Sequence, residues 1–140
     1  MKREASAQWQ GALKKGKGTL STKSKTLNET PYSFTDRFEG NGTNPEELIA
    51  AAHAGCFTMA LCAILGKEGY TPTALNTKAE LSLEQVEGNW TVTNIDLAVE
   101  AEISDIEEQK FEQIAEQAKK DCPISKLLKT NIGLQVTLIR

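Results

Sequence analysis

The sequence predicts an α+β fold, and three patterns carry that expectation. Polar and apolar residues alternate through much of the first third of the chain and again over residues 79–103. Between these stretches lies a run of 19 uncharged residues, 48–66. Further on, Phe111, Ile114, Ala115 and Ala118 recur at the spacing of one helical face.

Ala5-Ser6-Ala7-Gln8-Trp9 alternates as a first strand, and Gly16-Lys17-Gly18 supplies a turn before Thr19-Leu20-Ser21-Thr22. After Pro31 the segment 32–38 alternates again, with Tyr32, Phe34 and Phe38 on one face and Arg37 on the other. Asn44 suits an N-cap, Pro45 the first helical position, and Glu46 and Glu47 the positive end of a helix dipole. A helix is therefore predicted over residues 45–67. It has the length of a membrane span, but small residues dominate it, His53 and Thr58 interrupt it, and its neighbours read as soluble strands. The expectation is a central helix buried on every side, by sheet and by a second subunit, and no membrane insertion.

Ala79, Leu81 and Leu83 alternate up to a turn at Glu87-Gly88-Asn89. The return strand runs through Ile95, Leu97, Val99, Ala101 and Ile103, and a phase slip near Thr93-Asn94 predicts a bulge. Ser104 and Glu107 have capping-box spacing for a helix ending near Lys119-Lys120. Pro123 opens a short helix with Cys122 as its N-cap, and residues 133–139 form a last strand. The order βββ-α-ββ-α-α-β implies antiparallel sheet, and residues 1–140 read as one domain.

A net charge of -3 offers no electrostatic footprint for nucleic acid. Lys14, Lys15, Lys17, Lys23 and Lys25 are interleaved with Gly, Ser and Thr, as in a solvated hairpin. The opening MKREASAQWQ has no apolar signal-peptide core, so a cytoplasmic location is expected. Three cysteines in a reducing compartment make a poor disulfide framework. They suggest a reactive pair with a bystander, or three bystanders.

Cys56 lies mid-helix, beyond the reach of the helix dipole, so a reactive thiolate there needs a cation from elsewhere in the fold. Arg37 is the candidate, because an arginine stays charged and presents several donors at once. A desolvated arginine needs a carboxylate in turn, and Glu46 and Glu47 are both available. At an N-cap the Cys122 thiol would meet free backbone N–H groups that favour its thiolate; as a bland alternative, it replaces a commoner cap. Cys62 lies about 240° around the helix from Cys56 and reads as core. His53 can share the Cys56 face, as a core histidine, a general base, or a metal ligand with Cys56 and Cys122. That metal set lacks a clear fourth ligand.

The runs RFEGNGTNPEELIAAAHAGCFTMAL, DCPISKLLK and AQWQGALKKGKGTLST resemble the OsmC branch of the osmotically inducible protein C (OsmC)/organic hydroperoxide resistance (Ohr) family. The likeness covers nearly the whole chain. It implies an OsmC-like fold, with antiparallel sheets around a buried helix, in an intertwined homodimer with two active sites at the interface. It also implies a peroxidase that reduces hydroperoxides, often organic ones, with an external thiol or dithiol and no metal or organic cofactor. Cys56 matches the peroxidatic cysteine, Cys122 the resolving cysteine, Arg37 the family arginine, and Glu46 the glutamate that holds it, with Glu47 as fallback. Apolar neighbours such as Phe57, Met59 and Phe38 would favour alkyl hydroperoxides. Two rival readings are a ligand- or metal-binding dimer and a thiol redox sensor.

Overall fold

The computed structural model describes residues 1–139 and divides into two compact units, Met1–Leu48 and the chain from Ile49 onward. In the first unit, β1 (Ala5–Gln10), β2 (Lys17–Thr22) and β3 (Thr30–Tyr32) form an antiparallel sheet in that order. Trp9, Gly18 and Tyr32 stand side by side across the three strands. A Cβ at Gly18 would sit 2.6 Å from the Trp9 ring and 2.7 Å from the Tyr32 ring. Glycine at this position lets those rings meet edge to face, with centroids 5.4 Å apart.

The third strand is shorter than the alternation predicts, and Arg37 is not on it. Residues 36–39 form a helical turn, α1 (Asp36–Glu39). The Ser33 hydroxyl accepts the Asp36 N–H at 3.1 Å, and Gly40 closes the turn in the left-handed region at φ 72°. Phe34 and Phe38, four residues apart, then pack edge to face at 5.2 Å. Arg37 lies over the Phe34 ring at 5.7 Å rather than opposite the aromatic face.

Helix α2 (Pro45–Lys67) has the predicted bounds. The Asn44 side chain caps it by accepting the Glu47 N–H at 2.8 Å. Its burial differs from the expectation. Within one chain only the stripe His53, Phe57, Leu61 and Leu65 is buried, while Ala52, Gly55, Met59, Cys62, Ala63 and Gly66 are exposed. Length and composition alone would let α2 cross a membrane, but this buried stripe packs on its own chain.

In the second unit, β4 (Ala74–Val86), β5 (Asn89–Glu102) and β6 (Asn131–Ile139) form a sheet in that order. Ser82 pairs with Asn94 and Leu83 with Val92, so Thr93 is the extra residue of the predicted bulge. The α+β class holds, but this sheet is mixed: β6 runs parallel to β5. The connection between them contains α3 (Glu108–Asp121) and α4 (Pro123–Leu127), the crossover that a parallel pair requires. The capping box at Ser104 does not form. The chain turns at Asp105, φ 61°, and α3 begins after an extended Glu107 that makes no side-chain cap.

The core of this unit joins Phe57, Leu61 and Leu65 of α2 to Leu97, Val99 and Ala101 of β5 and the predicted face of α3. Phe111 is wholly buried in it. Phe111→Ala is expected to lower unfolding stability by about 3–5 kcal/mol, read from the midpoint and slope of urea denaturation.

Candidate active site

Each unit holds a cluster of groups that the sequence singles out. In the first, an Arg37 Nη2 lies 2.9 Å from Glu46 Oε1, with both side chains largely removed from solvent. Glu46, not Glu47, is therefore the carboxylate on the arginine. Glu47 instead accepts the Thr43 hydroxyl at 3.1 Å. Removal from water weakens screening and makes such a pair stronger than a surface one, provided the remaining polar atoms are satisfied. Here they are not: Arg37 Nε and Glu46 Oε2 are buried without a partner among the described residues. An arginine in this state has a donor left for another acceptor.

Beside Arg37 is a pocket of about 220 Å³, lined by Trp9, Leu13, Tyr32, Ser33, Phe34 and Pro45 together with Arg37 itself. It combines apolar walls with one fixed cation. The sequence assigned apolar selectivity elsewhere, to Phe57, Met59 and Phe38. Phe57 is sealed in the core and Met59 is 76% exposed, so neither they nor Phe38 line this pocket. The signal that marks Trp9 and Tyr32 is Gly18, because a side chain there would separate the two rings.

In the second unit, Cys56 on α2 and Cys122 at the α3–α4 junction lie close enough for each thiol to shift the other's pKa. Cys122 is the N-cap of α4, as Pro123 implies, and is wholly buried; Cys56 is half-buried and Cys62 exposed. All three are free thiols. Burial pushes the Cys56 thiol above its ordinary value, and its hydrogen bond to Cys122 pushes the same way; the Ile124 backbone N–H pulls less strongly down. At Cys122 burial also opposes the thiolate. The donors around it, first Cys56, then Ser125 and Ile124 at the start of α4, outweigh burial and bring this thiol below its ordinary value, although the Cys122 side chain closes no cap bond on α4.

His53 meets Ser125. It is wholly buried, and its Nε2 lies 2.8 Å from the Ser125 hydroxyl. Among the described residues no three His, Cys, Asp or Glu groups are placed to hold a metal, so His53, Cys56 and Cys122 do not assemble as a ligand set. Ser125 is the site residue that sequence reasoning missed. It stands 72 positions from His53, and a lone serine after Pro123 carries no signal of that contact.

The OsmC-like protein family model matches residues 38–137. The chain belongs to the OsmC-like family. This OsmC-like chain is 47% identical over 137 residues to Peroxiredoxin OsmC of Escherichia coli, covering 97% of the chain and 96% of that protein. It is 32% identical over 99 residues to Organic hydroperoxide resistance protein-like 2 of Staphylococcus epidermidis, covering 69% of the chain and 68% of that relative. An OsmC-like protein of Vibrio cholerae shares the fold with a TM-score of 0.78 at 17% identity, over 97% of this chain and 99% of its own.

Proposed function

We propose that this chain is a thiol-dependent peroxidase whose Cys56 attacks organic hydroperoxides and whose Cys122 resolves the product. Membership of the OsmC-like family and the named peroxiredoxin and hydroperoxide-resistance relatives support a peroxidase role in hydroperoxide stress defence. The observation that carries the cysteine roles is the contact between an accessible Cys56 and a buried Cys122 in one chain.

The Cys56 thiolate attacks the distal peroxide oxygen, forming an S–O bond as the O–O bond breaks. The proximal oxygen leaves as alkoxide and is protonated to alcohol. Cys56 is then a sulfenic acid, and Cys122 displaces its hydroxyl as water to form a disulfide. An external thiol or dithiol reduces that disulfide by exchange.

Burial opposes a Cys56 thiolate, so the reaction needs a cation, and Arg37 with its spare Nε is the group suited to it. In the intertwined dimer that the family resemblance implies, with two active sites at the interface, this arginine is assigned to the Cys56 of a partner chain. The exposed stripe of Ala52, Gly55 and Ala63 supports a homodimer, because small residues let a second helix approach closely, and the exposed Met59 beside it adds apolar surface to cover. In this reading the 140 residues act as one functional domain in a cytoplasmic dimer. The unpaired, exposed Cys62 suits that reducing compartment.

Turnover of cumene hydroperoxide and hydrogen peroxide with dithiothreitol as reductant tests the function. The reduced protein is expected to consume both and to prefer cumene hydroperoxide; consumption of neither would exclude the reading. The preference is assigned to the pocket beside Arg37. Tyr32→Ala is expected to raise KM for cumene hydroperoxide about tenfold by removing an apolar wall, leaving KM for hydrogen peroxide nearly unchanged.

A further inference from the structure

We infer that His53 and Ser125 form a hydrogen-bond relay that aims a proton donor at the Cys122 sulfur and readies this cysteine to attack the Cys56 sulfenic acid. The inference rests on the peroxidase reading and gives His53 a role in the second chemical step, not the first.

The relay is set by which atoms have partners. His53 Nε2 lies 2.8 Å from Ser125 Oγ, while Nδ1 is buried with no partner among the described residues. Burial lowers the His53 pKa and favours the neutral ring, which carries a single N–H. With that hydrogen on Nδ1, a buried donor would be stranded; with it on Nε2, only a lone pair goes unmet. Stranded buried N–H groups are the rarer and costlier defect, so Nε2 carries the hydrogen and donates to Ser125. Its oxygen thus engaged, the Ser125 hydroxyl is free to turn its own hydrogen toward Cys122, three residues before it at the cap of α4, whose thiolate it favours. Ser125 belongs to α4 and His53 to the buried stripe of α2, so both ends of the relay are held on helices.

A thiolate that accepts this bond is kept ready beside Cys56. In the resolving step its sulfur attacks the sulfenic sulfur, the S–S bond forms and the S–O bond breaks. The departing hydroxide takes up a proton equal in number to the one Cys122 gave to solvent. No electrons enter or leave beyond those already taken by the peroxide. His53 and Ser125 are positioning residues here; neither bonds to the peroxide.

The test separates the two steps. Reduced wild type, His53→Ala, His53→Gln and Ser125→Ala are each mixed with one equivalent of cumene hydroperoxide. Dimedone trapping follows sulfenic acid, and loss of free thiol follows disulfide closure. His53→Ala and Ser125→Ala are expected to slow closure about tenfold or more relative to sulfenic acid formation, with more dimedone adduct trapped. His53→Gln places an amide N–H near the position of Nε2 and is expected to restore much of the closure rate, which loss of helix packing alone would not allow. Closure at the wild-type rate in both alanine variants would overturn the relay. So would equal slowing of both steps. If His53→Ala does not fold, Ser125→Ala decides the matter, since it removes the same link from a partly exposed position. Absence of sulfenic acid in the wild type itself would instead remove the peroxidase reading, and the relay with it.

Discussion

Cys56→Ser is expected to reduce cumene hydroperoxide turnover on the order of a thousandfold or more. A serine hydroxyl is not ionised near neutral pH and has no counterpart of the sulfenic acid, so no other group at that position can carry oxygen away from the peroxide. The outcome is informative because two physical effects point to different cysteines. Hydrogen bonding favours the Cys122 thiolate, while burial and the bond to Cys122 disfavour the Cys56 thiolate. Access points the other way: Cys122 has no exposed surface, and Cys56 is only half-buried. A cumyl group cannot reach a sealed sulfur without opening the core, so access should win. Cys122→Ser should then still form a sulfenic acid at Cys56 and stall there. The reverse pattern, with sulfenic acid in Cys56→Ser and none in Cys122→Ser, would exchange the two roles.

Arg37→Met is expected to lower kcat/KM for cumene hydroperoxide by about a hundredfold to a thousandfold, since in the proposed mechanism Arg37 is both the cation beside the thiolate and a donor to the peroxide. Arg37→Lys should recover little, because an ammonium cannot hold Glu46 and present a second planar donor together. Loss of an exposed cation would have small consequences, but this one is largely buried, paired at 2.9 Å, and left with an unpartnered Nε. Mixing the two defective chains tests where the arginine acts. If Arg37 serves the partner's thiol, refolding Cys56→Ser together with Arg37→Met creates mixed dimers with one intact site and restores turnover. If it serves its own chain, each mixed dimer lacks an intact site and turnover stays absent.

Local chemistry made much of this arrangement legible in the sequence. Asn44-Pro45 marked the start of α2, and the phase slip marked Thr93 as the bulge. Pro123 placed Cys122 at a helix cap. The misreadings came where a short pattern fits two structures. Residues 32–38 satisfy a period of two, yet Phe34 and Phe38 are also four apart, and their ring contact goes with the helical turn that carries Arg37. Strand direction was misread for β6, because its partner lies across two helices and nothing within residues 131–139 encodes which way the sheet receives it. Contacts distant along the chain left little local trace: Gly18 marks the Trp9–Tyr32 wall only once the strand register is known, and His53 meets a serine from another helix.

Peptide mass mapping after one equivalent of cumene hydroperoxide, with no external thiol present, reads the cysteine pairing itself. A Cys56–Cys122 disulfide within one chain is expected, with Cys62 still free. A disulfide through Cys62, or an oxidised Cys56 beside an unmodified Cys122, would contradict it.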